Sequence, residues 1–150
     1  MKRIILLVFM MLPMMAMAQI PQFTKLIDKY NGAEGVTAMN LNKYMIAMFA
    51  GDNKDFNFAD EINILLSDNS EVAKAIVKDA KKAVKRAKVK LLIEAVEDGS
   101  TYSVYTKTKN NVITNIVLII ENDTPSGFAL ITGEIPEEKL SEVIKIVTES

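Results

Sequence analysis

The chain has 150 residues, with no histidine, no cysteine, nine methionines, and eighteen basic residues against nineteen acidic ones. That length can bury a core without staples, but the composition denies it a disulfide, a thiolate nucleophile, the commonest general base and the usual zinc ligands. The formal charge of −1 at pH 7 conceals a strong unevenness along the chain.

Residues 1–18 have the layout of a cleavable signal peptide. Lys2 and Arg3 supply the positive region, Ile4 to Met15 the apolar stretch, and Ala16 and Ala18 the small residues of a cleavage site. A membrane span needs about 20 apolar residues, and this run is shorter and interrupted by Pro13. The expectation is therefore export to the periplasm or the surroundings of a bacterial cell. Lipid anchoring is not expected, because no cysteine is present to acylate. Gln19 would begin a mature chain, 19–150, read as a single α+β domain.

Phe23, Leu26, Ile27 and Tyr30 recur at helical spacing behind Pro21, which predicts a helix from about Gln22 to Tyr30, stopped by Asn31 and Gly32. A short strand follows from Val36 to Leu41. Asn42 is placed to cap a second helix whose inward side would hold Met45, Met48 and Phe49, with Gly51 as its end. After a polar connection, Glu61 to Ser67 reads as a largely buried strand through Ile62, Ile64, Leu65 and Leu66.

Asp68 precedes Glu71 at capping-box spacing and predicts a long helix to about Lys88. Its buried stripe is Val72, Ile76, Val77, Ala80, Ala83, Val84 and Ala87. Four strands follow, near Lys90 to Glu97, Thr101 to Thr108, Ile113 to Glu121 and Gly127 to Glu134, separated by the turn signals Asp98-Gly99, Asn110-Asn111 and Asn122 to Ser126. Such short links predict an antiparallel meander with helices mainly on one face. Ile116 to Ile120 is apolar on both faces, which predicts a central strand covered on both sides. Pro136 opens a last helix with Leu140, Val143, Ile144 and Val147 inward.

The glycines fall in no dinucleotide or phosphate-loop spacing, and no catalytic motif is present. No catalytic, cofactor-binding or metal-binding residue is assigned, and no cofactor is expected. The least ordinary feature is charge. Lys74, Lys78, Lys81, Lys82, Lys85, Arg86, Lys88 and Lys90 stand against the single acid Asp79, a local net of about +7. Lys74, Lys78, Lys81, Lys85 and Lys88 share one helical face by spacing. Lys74, Lys78, Lys81, Lys82, Lys85, Arg86 and Lys88 form the candidate interaction surface. A solvated helix face is the plain alternative, since long lysine stems cover apolar neighbours.

Other features have ordinary readings. The acidic stretch Asp52, Asp55, Asp60 and Glu61 lacks the glycine and glutamate spacing of a helix-loop-helix calcium site. Asn122-Asp123-Thr124 matches a glycosylation sequon but reads as a turn. Tyr44, Tyr102 and Tyr105 could line a pocket, although Tyr102 and Tyr105 must point to opposite faces of one strand.

The leader, Phe23, the run Leu26-Ile27-Asp28-Lys29-Tyr30, Glu34-Gly35-Val36-Thr37 and the closing Leu130-Ile131-Thr132-Gly133-Glu134-Ile135 together resemble a domain-of-unknown-function family of short, signal-peptide-bearing exported proteins from Bacteroidetes. The resemblance implies an exported α+β domain and carries no activity or site residue with it. The expected function is thus a non-catalytic envelope module that binds a protein partner or itself through strand edges and the basic helix. Peripheral contact with anionic membrane lipid is a further expectation, and nucleic acid is not expected as a partner. The alternative is binding of lipid or a small apolar ligand between sheet and helices.

Overall fold

The computed structural model describes residues 20–50 and 58–141. The expected signal peptide, Gly51, Asp52, Asp55 and the inward positions expected at Val143, Ile144 and Val147 lie outside the described residues. In chain order the elements are α1 (Pro21–Tyr30), β1 (Val36–Asn42), α2 (Lys43–Ala50), β2 (Ala59–Ser67), α3 (Ser70–Ala87), β3 (Lys90–Glu97), β4 (Ser100–Lys109), β5 (Val112–Glu121) and β6 (Ser126–Ile135). A further helix begins after Pro136 and is described over 137–141.

The strands form one antiparallel sheet in the order β1-β2-β6-β5-β4-β3. The four C-terminal strands make the expected meander. β2 then lies beside β6, so the N-terminal hairpin-like pair extends the sheet rather than standing apart. Glycine permits that junction: a Cβ on Gly127 would overlap the Leu65 carbonyl oxygen of β2.

α1 and α3 cover one face. Phe23 of α1, Ile76, Val77, Ala80, Ala83 and Val84 of α3, and Leu65, Val117, Ile119, Phe128 and Leu130 of the sheet are buried together. Phe23 and Phe128 meet edge to face with ring centres 5.1 Å apart. The second face carries a separate cluster of Val104, Ile113, Ile116, Leu118 and Ile135, against which Phe58, Ile131 and Leu140 pack. Consecutive residues of β5 therefore enter different cores, which is why Ile116 to Ile119 is apolar without alternation. Ile120 is only half-buried at the strand end. In β2 the helix side is buried at Leu65, while Ile62, Ile64 and Leu66 on the other side are half-buried.

Two local expectations are corrected. The residue that caps α3 is Asn69, whose Oδ1 accepts from the backbone N–H groups of Glu71 and Val72 at 3.0 and 3.2 Å. Asp68 sits one residue too early, its own N–H donating to the Gly35 carbonyl instead. Asn42 does cap α2, accepting from the Met45 N–H at 3.0 Å. The inward side of α2 is not the one its methionines suggested, however. Ile46 is buried, whereas Tyr44, Met48 and Phe49 are 83%, 82% and 78% exposed and Met45 is exposed as well. The helix is eight residues long and apolar nearly all round, so its periodicity gives no direction.

Candidate basic interaction face

α3 is held in place before any of its charges act. Its alanines at 73, 80 and 83 let the helix approach the sheet closely, and its larger apolar residues fill the gap to Phe128 and Ile119. Burying one side of an 18-residue helix dictates where the opposite side points. Lys74, Lys78, Lys81, Lys82, Lys85 and Arg86 all emerge exposed. Lys88 is exposed too, but it stands past the helix end in left-handed conformation with φ 57°. Lys85 and Arg86 in the last turn also lie favourably toward the negative end of the helix dipole.

Five of these cations line two grooves, and Lys85 and Lys88 line neither. Lys74, Lys78 and Lys81 line a groove of about 390 Å³ between α3 and the β5–β6 turn, opposite Asp68, Glu121 and Asp123. Within it Lys81 is paired to Glu121 at 2.7 Å. Asp123 is engaged by the Tyr102 hydroxyl at 3.1 Å, which raises the tyrosine's pKa above its ordinary value. The other groove, about 320 Å³, runs between α1 and α3, where Lys82 and Arg86 are joined by Lys25 and Lys29 with Asp79 as the one acid.

Asp79 is committed to holding the two helices together. One of its oxygens accepts from Lys29 Nζ at 2.9 Å and from the Tyr30 hydroxyl at 2.6 Å. The Lys29 hydrogen bond, then that of Tyr30, holds the carboxyl below its ordinary range against the opposing effect of burial. The same contact raises Lys29, while Tyr30 is raised first by burial and then by Asp79. Among the described residues the ion pairs are Lys29–Asp79, Lys43–Asp60 and Lys81–Glu121. Lys25, Lys74, Lys78, Lys82, Lys85, Arg86 and Lys88 thus have no described carboxylate within 4 Å. The α1 lysines were missed by reading the α3 run alone; their helical offset of four, Lys25 to Lys29, was the available signal.

A second polar group also went unseen in the sequence. On the helix side of the sheet, Asn115 is fully buried and donates to Thr132 Oγ1 at 3.1 Å while its own carbonyl oxygen accepts from Thr114 Oγ1 at 3.0 Å. Asn40 donates to Glu61 and Asn63, and Asn63 donates to Glu61 at 3.2 Å. Every one of these groups is satisfied by a neighbour, which suits cross-strand registration rather than ligand capture.

The remaining residues singled out by sequence are dispersed. Asp60 faces Lys43 at 3.7 Å and Glu61 belongs to the asparagine group. Among the described residues no three histidine, cysteine, aspartate or glutamate side chains are placed to hold a metal ion. Tyr44 is in solvent, Tyr105 packs on the helix-side core and Tyr102 on the opposite one. Asn122 to Ser126 is a turn in which Ser126 Oγ accepts from the Asp123 N–H at 3.0 Å and donates to the Asp123 carbonyl.

Residues 30–143 match the family described as Domain of unknown function (DUF4252). The chain belongs to this family. The match spans every strand and α3, and it begins at the last residue of α1. No curated protein and no solved structure matches the chain.

Proposed function

We propose that this DUF4252 protein is an exported, non-catalytic interaction domain of the bacterial envelope that docks an anionic partner on its two-helix face. The observation that carries the reading is the set of exposed cations on α1 and α3 without described acidic partners, seated on helices whose positions are determined by a buried core. Like charges gathered on one rigid face raise the local potential, speed encounter with an acidic surface and orient it. An acidic protein surface fits better than the other anions. α3 contains no aromatic side chain to insert into lipid or stack on bases, and the signal-like leader points away from the compartment of nucleic acid. Contact with anionic lipid would rest on charge alone, at about 1 kcal/mol per basic group near the surface.

The apolar-ligand reading has less support. The interval between helices and sheet on which it depends is occupied by Phe23, Ile76, Ile119 and Phe128, all fully buried.

The test is photocrosslinking from position 78 in intact cells, with Lys74→Glu, Lys82→Glu, Lys85→Glu and Arg86→Glu introduced together. The expected result is one captured protein that disappears on charge reversal and on raising salt, with the circular dichroism spectrum unchanged. Capture indifferent to both would overturn the proposal, and so would co-sedimentation with phosphatidylglycerol vesicles in place of any protein capture.

A further inference from the structure

The strand β3 ends the sheet, and its outward backbone groups have no strand partner among the described residues. It is also the most apolar exposed stretch of the sheet. Leu91 is 52% exposed, Val96 is 71% exposed, and Leu92 and Ile93 between them are exposed as well. An uncovered edge of this kind is a template for pairing with another chain. The opposite edge differs: on β1 the exposed large apolar residue is Met39, among Thr37, Asn40 and Asn42.

The charges of β3 say which chain fits. Reversed against itself end to end, the strand Lys90-Leu91-Leu92-Ile93-Glu94-Ala95-Val96-Glu97 sets Lys90 opposite Glu97 and Leu91 opposite Val96. Directly opposed residues must share a face of the sheet, and in a regular strand residues an odd number apart do not. The bulge between Leu91 and Ile93 removes the conflict. Because of it, Lys90 and Glu97 pair with Thr106 and Ser100, which lie on one face of β4, and Leu91 and Val96 pair with Tyr105 and Thr101, which lie on the other. The strand ends therefore match their own two-fold copy in charge, in apolar contact and in face; with Leu92 as the extra residue of the bulge, Ile93 then opposes Ala95, and Glu94 meets its own copy on the axis as the single like-charge contact.

We infer that the protein forms a two-fold dimer by antiparallel pairing of β3 with β3 of a second copy, with Lys90 of each copy facing Glu97 of the other. The pairing joins two six-stranded sheets into one and leaves both helical layers on the same side. The bulge determines which faces meet, and two Lys90–Glu97 contacts outweigh the single Glu94–Glu94 contact in this register. The inference is independent of the basic helical face, which β3 does not share.

Sedimentation velocity of the purified protein over a range of concentrations tests it. The wild type is expected to dimerise. Val96→Lys, at a position open enough to leave the fold intact, should give a monomer with an unchanged circular dichroism spectrum. Lys90→Glu or Glu97→Lys alone should weaken the dimer by about tenfold, since each places like charges opposite one another twice per interface. The double exchange Lys90→Glu with Glu97→Lys should restore it. A wild type that stays monomeric, a dimer untouched by Val96→Lys, or a double exchange no better than the single ones would each overturn the inference.

Discussion

α3 and α2 both lie against the same sheet, and α2 is by far the more apolar in composition, yet α3 supplies the core and α2 stands largely in solvent. The difference lies in contrast rather than content. α3 separates its apolar and basic residues onto opposite sides, so burial of one side both stabilises the helix and aims the other. α2 repeats apolar residues at nearly every position and offers no preferred side, and among its described side chains Ile46 alone is buried. Hydrophobicity without a polar counterface does not determine orientation.

Substitutions can break or sharpen this contrast. The largest effect is expected in the core that α3 seals. Phe128→Ala should cost about 3–5 kcal/mol and Ile76→Ala about 2–5 kcal/mol in urea unfolding, because both side chains are fully buried against neighbours that cannot close the gap. Next comes the start of α3: Asn69→Ala removes the acceptor for two helix N–H groups and should cost about 1 kcal/mol, whereas Asp68→Ala should cost much less. Were the two equal, the assignment of the cap would fail.

A comparable or smaller loss is expected for Asp79→Asn, about 1 kcal/mol at neutral pH, since the pair it breaks is partly exposed. Its pH dependence is the sharper test. The folded pKa of Asp79 lies below its unfolded value, so its contribution is present above the ordinary carboxylate range and fades as pH falls through the depressed folded value. The difference in stability between wild type and Asp79→Asn should shrink across that acid window; a constant difference would show that the carboxylate charge is immaterial. The smallest effect is expected in α2, where Phe49→Ser and Met48→Gln should each stay within about 0.5 kcal/mol of wild type. A loss of several kcal/mol there would mean that α2 is covered in solution.

The legibility of these regions follows the same rule. The stripe of Ile76, Val77, Ala80, Ala83 and Val84 was readable because it alternates with charge at helical spacing, and the meander was readable because Asp98-Gly99 and Asn110-Asn111 mark its turns. The capping residue was misplaced by one because Asp68 and Asn69 are both competent acceptors, and only backbone geometry selects between them. Of the basic face, the α3 half could be read from a single run, while Lys25 and Lys29 are about fifty residues away along the chain. Asn115 and Thr132 likewise gave no signal, because polar residues in a strand read as solvent-facing until a helix-covered sheet encloses them.

What the sequence by itself determined was the order and kind of the elements, the placement of β5 between two apolar layers, and the existence of one strongly basic helical side. These rest on periodicities of two and 3.6 residues and on turn chemistry, all of which are local. The insertion of β2 beside β6, the joining of α1 to the basic side of α3 through Asp79, the exposure of α2 and the bare apolar edge of β3 were decided by tertiary structure. Each depends on which distant segment is available as a neighbour, and closing those long loops is worth its entropy only when a whole face is buried at once.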